Sequence, residues 1–146
     1  MAIGRTARGP VRTLARASAG AGAALIALIA LNGCTPAATR ASDTARELQS
    51  AIGDRVAEVP RDCVSTMGLD GPQIVGNQTL IYRSGGRIYR NDIAGGCPGL
   101  APMATVIVEV HGSQLCRNDR FQALQTGSRI PGPYCRLGAF TPYRRP

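Results

Sequence analysis

The chain has 146 residues, with 17 arginines and no lysine against nine acids, a formal net charge of +8, one histidine, five cysteines and no tryptophan. That length holds one domain and a leader rather than two domains of ordinary size. A single histidine and the absence of any close cysteine pair exclude the usual zinc-ligand spacing.

The leader comes first. Arg5, Arg8, Arg12 and Arg16 stand without an acid before an apolar run, residues 19–31, that ends in Leu31-Asn32-Gly33-Cys34. A basic start followed by a short apolar stretch is export-signal anatomy, and a full bilayer span would need about 20 apolar residues. The Leu-x-Gly-Cys ending resembles a bacterial lipobox. It implies cleavage before Cys34 and lipidation of that cysteine, and Thr35 in place of an acid after it favours the outer membrane. Cleavage there leaves 113 of the 146 residues, with 13 of the 17 arginines and all nine acids, so the net charge falls to +4. Nucleic acid is therefore not an expected partner. The membrane, reached through the lipid, is.

Residues 34–60 are expected to form a tether and a stalk helix. Residues 35–41 are Ala, Thr, Pro and Arg and suit a flexible spacer. From residue 42 to 59 the pattern turns helical: Thr44 and Glu47 have capping-box spacing, and Leu48, Ile52, Val56 and Val59 form one apolar stripe. Pro60 is the expected stop, and Gly53 weakens the helix by about 1 kcal/mol relative to alanine.

From residue 61 to 146 short β-type runs alternate with glycine and proline. The clearest hairpin joins residues 78–83 to 87–91 across Ser84-Gly85-Gly86, because glycine tolerates the positive φ of tight hairpin turns. Leu80, Tyr82 and Tyr89 then share one face and Ile81, Arg83, Ile88 and Arg90 the other, the first being the expected core face. Residues 95–100 read as an irregular loop, residues 103–110 as the strongest strand by alternation of valines, and residues 115–116 and 119–125 as two further strands. Residues 126–133 form a Gly/Pro loop, residues 134–140 close the domain and residues 141–146 are a tail. The expected fold is mainly β, a small disulfide-stapled antiparallel barrel or sandwich preceded by one helix.

With Cys34 assigned to lipid, Cys63, Cys97, Cys116 and Cys135 remain, spaced by 34, 19 and 19 residues. An even number of widely spaced cysteines in an exported chain points to two disulfides rather than a metal site. The favoured pairing is Cys97 with Cys116 and Cys63 with Cys135, with two other connectivities open.

Cys63, Tyr89-Arg90-Asn91, Gly96-Cys97-Pro98-Gly99-Leu100, Leu115-Cys116 and Cys135-Arg136-Leu137-Gly138-Ala139-Phe140 together resemble an uncharacterised family of small cysteine-containing proteobacterial envelope proteins. The resemblance spans about residues 61–142. It implies a small domain outside the cytoplasm and brings no activity or site residue with it.

For function, Arg83, Arg87 and Arg90 are the expected anion-binding residues, since guanidinium groups fork onto carboxylate and phosphate. His111 sits at a strand end beside Gly112, a turn setting, and Cys97 is expected to be oxidised, so a Cys–His nucleophile is not expected. Asp70, Asp92, Glu109 and Asp119 are scattered, and no catalytic residue, cofactor or metal is expected. The expected role is a structural or binding module of the cell envelope, contacting an envelope protein or an anionic polymer. The alternative is an envelope enzyme acting on peptidoglycan or on thiols.

Overall fold

The computed structural model describes residues 36–146, which form one compact unit. The leader, the lipobox and Cys34 lie outside the described residues. Among the described residues one helix, α1 (Pro36–Ile52), precedes ten strands: β1 (Val56–Ala57), β2 (Cys63–Ser65), β3 (Asp70–Val75), β4 (Thr79–Ser84), β5 (Arg87–Asp92), β6 (Thr105–Val108), β7 (Gln114–Cys116), β8 (Arg120–Leu124), β9 (Cys135–Arg136) and β10 (Phe140–Arg144).

The strands make three antiparallel sheets, ordered β1-β10-β5-β4-β3, β6-β8-β9 and β2-β7. Among the described residues the sheets stay open, so of the two expected architectures the sandwich is the one formed. Leu80, Tyr82 and Phe140 of the large sheet, Phe121 and Ala123 of the second and Val64 and Leu115 of the third share one core. Tyr82 and Phe140 meet as tilted rings 5.9 Å apart.

The β4–β5 hairpin forms as its glycines imply. Tyr82 pairs with Tyr89 and Ser84 with Arg87, leaving Gly85 and Gly86, both at positive φ, as the two-residue turn. Its first face enters the shared core as expected. Its second face is buried as well: Ile81 and Ile88 join Val75 in a separate cluster covered by Leu48 and Ala51 of α1 and by Tyr143. The helix is thus the lid of the large sheet.

Three sequence expectations are corrected. First, α1 runs from Pro36 to Ile52 rather than over residues 42–59, and residues 36–41 are helix rather than tether. Proline is at home in a first helical turn, where its missing N–H has no partner to lose, and Ala37, Ala38 and Ala41 extend the helix. Gly53, at φ +68°, ends it by donating its N–H to the Gln49 carbonyl, the left-handed cap that glycine adopts without a Cβ penalty. Thr44 therefore lies inside the helix instead of capping it. Val56 enters β1 on the sheet edge, and Val59 is 83% exposed.

Second, most of the expected C-terminal tail is β10, an interior strand between β5 and β1. Pro142 is tolerated there because its backbone faces the short edge strand. Its carbonyl accepts from Glu58 N–H, so the missing proline donor falls on the β1 side and the ladder to β5 is spared.

Third, the disulfides join Cys63 to Cys116 and Cys97 to Cys135. The favoured pairing assumed that Cys97 and Cys116 meet across the ends of β6. Instead β2 lies along β7, with Cys63 directly opposite Cys116. The loop carrying Cys97 is tied to Asn77 by its own amide and faces β9, where Cys135 sits. The two bridges close loops of sequence separation 53 and 38, which on the chain-entropy view contribute about 4 kcal/mol each.

Candidate functional site

A cleft of about 740 Å³ opens where the β5–β6 loop, the β7–β8 turn and the β9–β10 segment converge. Asp92, Arg117, Asn118, Tyr134 and Arg136 supply its polar and aromatic lining. Both disulfides fix its walls. Cys135 lines the cleft and holds the loop that precedes Pro98, while Cys116 anchors the turn that starts at Arg117.

The β7–β8 turn is built by Asp119 and Asn118. Asp119 Oδ2 accepts the Cys116 N–H at 2.7 Å, a local side-chain bond of the kind that makes Asp a turn residue. Asn118 takes a left-handed φ of 71°, and its N–H donates to the Leu137 carbonyl while Leu137 N–H donates to the Asp119 carbonyl. Opposite, Asn91 is fully buried. Its side-chain amide donates to the Gly138 carbonyl at 2.8 Å and its oxygen accepts the Gly138 N–H at 2.9 Å. One side chain thus satisfies both backbone groups of the segment, and only glycine fits, because a Cβ on residue 138 would overlap the Asp92 carbonyl oxygen.

The cleft is electropositive. Its one carboxylate, Asp92, is already engaged by Thr79 Oγ1 at 2.8 Å and Arg90 Nε at 2.9 Å. Arg136 donates to the Asn118 carbonyl at 3.0 Å and has no carboxylate within 4.0 Å among the described residues. Arg117 reaches Asp62 only at 3.7 Å, with both side chains largely exposed, an arrangement worth little in water. Tyr134 is 56% exposed, and the Arg120 guanidinium stands 4.8 Å from its ring centroid. Two arginines with free donors beside a held aromatic ring make a receptor for carboxylate or phosphate attached to an apolar or sugar body.

The sequence-expected arginines are placed otherwise. Arg83 and Arg87 border a shallow depression of about 180 Å³ at the hairpin tip, together with Arg55 and Asp70. Arg83 donates to Gln73 Oε1 at 2.8 Å, and Arg87 lies 4.0 Å from Glu58. Arg90 is apart from them. Partial burial works against its charge, but the hydrogen bond and ion pair with Asp92, with Tyr143 adding to them, outweigh it and raise its pKa. The pair lies within β5, two residues apart.

His111 is exposed and bridges to Gln114 across the β6–β7 turn. Cys97 and Cys116 are both in disulfides. The Gly96 and Cys97 amides are taken by the Ile93 and Asn77 carbonyls, so these two amides are not free to cradle an anion. No cluster of three metal-ligating side chains occurs among the described residues, and no described helix is long and apolar enough to cross a membrane. Arg117 and Arg136, which sequence reasoning passed over, did carry a signal: each directly follows a bridged cysteine, in Cys116-Arg117 and Cys135-Arg136.

No family model matches the chain, and no curated protein or solved structure matches it.

Proposed function

We propose that this chain is an outer-membrane-anchored periplasmic lipoprotein, held by Cys34, whose β domain binds an anionic polymer of the cell envelope in the Arg117–Arg136–Tyr134 cleft. The observation that carries the reading is the cysteine account. The four domain cysteines pair with one another, which suits an oxidising compartment, and the fifth, Cys34, stands at the lipobox-like end of an export-type leader. Arg136, with no carboxylate within 4.0 Å among the described residues, and Arg117, paired only at 3.7 Å with the exposed Asp62, supply the chemistry for the ligand. Guanidinium forks match carboxylate and phosphate, and the Tyr134 ring offers a flat surface to the polymer body.

Retention of the protein on purified anionic envelope polymer tests the binding half. Arg117→Gln combined with Arg136→Gln is expected to weaken retention by about tenfold or more, since a hydrogen bond to a charged group contributes ~1.5–3 kcal/mol. Arg83→Gln combined with Arg87→Gln, which leaves Arg90 on Asp92, is expected to leave it within about twofold, because surface positions away from the contact contribute little. Retention lost only in the Arg83/Arg87 variant would move the site to the hairpin. Retention unchanged in both would sink the polymer reading.

A further inference from the structure

The outer edge of β6 is bare. Glu109 N–H donates to the Arg120 carbonyl, and the register places Thr105 opposite Leu124 and Ile107 opposite Gln122. In an antiparallel ladder hydrogen-bonded and non-bonded pairs alternate. Thr105, Ile107 and Glu109 therefore bond to β8, while the N–H and C=O groups of Val106 and Val108 point away from it. No partner receives them among the described residues. The side chains of Val106 and Val108 turn to the core. With Val110, Leu69, Leu115 and Tyr82 they line an apolar crevice of about 280 Å³ between β6 and the start of β3. On the opposite face Ile107 is 42% exposed; Val110, beyond the strand on the crevice side, is 47% exposed.

Edge strands are normally guarded against pairing by proline, charge, bulges or shortness. The two edges of the large sheet are guarded. β3 carries Pro72 within an irregular register between Asp70 and Gln73, and β1 is two residues long. β6 has neither a proline nor a charged residue from Thr105 to Val108.

We infer that β6 pairs with β6 of a second copy of this chain, antiparallel, about a two-fold axis through Ile107. This goes beyond the anchoring and polymer reading and stands apart from it. The edge is its own complement in that register. Val106 of each copy faces Val108 of the other, and the two pairs use all four outward N–H groups and C=O groups in hydrogen bonds. The exposed Ile107 side chains meet across the axis. Val110 gains Ala104 of the other copy as its neighbour. Glu109, the nearest charge, faces the Thr105 hydroxyl, a donor, so no like charges oppose each other. The contact is isologous and closes at two copies. It joins two three-stranded sheets into one of six strands.

Sedimentation of the full chain in detergent micelles reads the outcome. A reversible, concentration-dependent doubling of protein mass is expected, with slowed hydrogen exchange at the Val106 and Val108 amides in the dimer. Val108→Pro removes one outward donor and spares the bonds to β8, and is expected to return the mass to that of one copy. Ile107→Arg, at an exposed site, places two cations across the axis and is expected to do the same without disturbing the fold. A wild-type monomer up to the solubility limit would overturn the inference, as would open assemblies larger than a dimer or a dimer that survives both substitutions. A monomer whose β6 amides become protected only on adding an extended apolar peptide would also overturn it, assigning the edge to a different partner.

Discussion

Asn91 and Gly138 show how much of this fold rests on single positions. The buried amide of Asn91 closes both hydrogen bonds of Gly138, and the space for a side chain at 138 is filled by the Asp92 carbonyl. Gly138→Ala is expected to cost about 3 kcal/mol, in the range of overpacked or strained sites, read as a lowered midpoint in denaturant unfolding with unchanged slope. Tyr82 gives the opposite case. Its ring fills the core, but burial leaves its hydroxyl without a protein partner among the described residues, and the same burial pushes the hydroxyl pKa well above its ordinary value. Tyr82→Phe is expected to raise stability by about 1 kcal/mol, because a buried unpaired polar group costs ~1–3 kcal/mol. A loss on that substitution would show that the hydroxyl is satisfied in solution. Neither role was legible in the sequence. Cys-x-Leu-Gly-x-Phe marks Gly138 as part of a pattern, but the residue that makes it obligatory lies 47 positions earlier.

At the scale of elements, local chemistry was legible and endings were not. The Gly85-Gly86 hairpin formed because its turn residues, strand alternation and face partition all agree within a dozen positions. The helix was legible in its Leu48–Ile52 stripe, but the stripe continues by coincidence into Val56 and Val59. The left-handed cap at Gly53 outweighs two further periodic valines, because β1 can then bond to β10. A matched pair of substitutions tests that ending. Ile52→Ala is expected to cost about 2–3 kcal/mol as a buried large-to-small change. Val59→Ala, at an 83% exposed site, is expected to stay within ~0.5 kcal/mol. Equal costs would mean that the helix extends through residue 59. The disulfide pairing was illegible for a different reason. Spacing alone permits three connectivities for four cysteines, and the choice depends on β2 crossing to β7, 53 residues away.

For the molecule as a whole, α1 covers one face of the large sheet and the two smaller sheets cover the other, so a domain with only two phenylalanines and four tyrosines still buries both faces of its central hairpin. The cleft lies where both disulfides and the Asn91–Gly138 clamp converge, which places Arg117 and Arg136 on stiff backbone. The β class and the use of paired cysteines could be read from the sequence. The cleft could not, since its walls come from segments around residues 92, 117 and 136 that only the tertiary fold brings together.

The measurement that bears most directly on the account is the intact mass of the protein purified from its native envelope, with thiol labelling before and after reduction. The account predicts a chain beginning at Cys34 and carrying acyl mass, no labelled thiol before reduction, and peptides linked Cys63 to Cys116 and Cys97 to Cys135. A chain that keeps its leader, an unacylated Cys34, or thiols that label without reductant would contradict it.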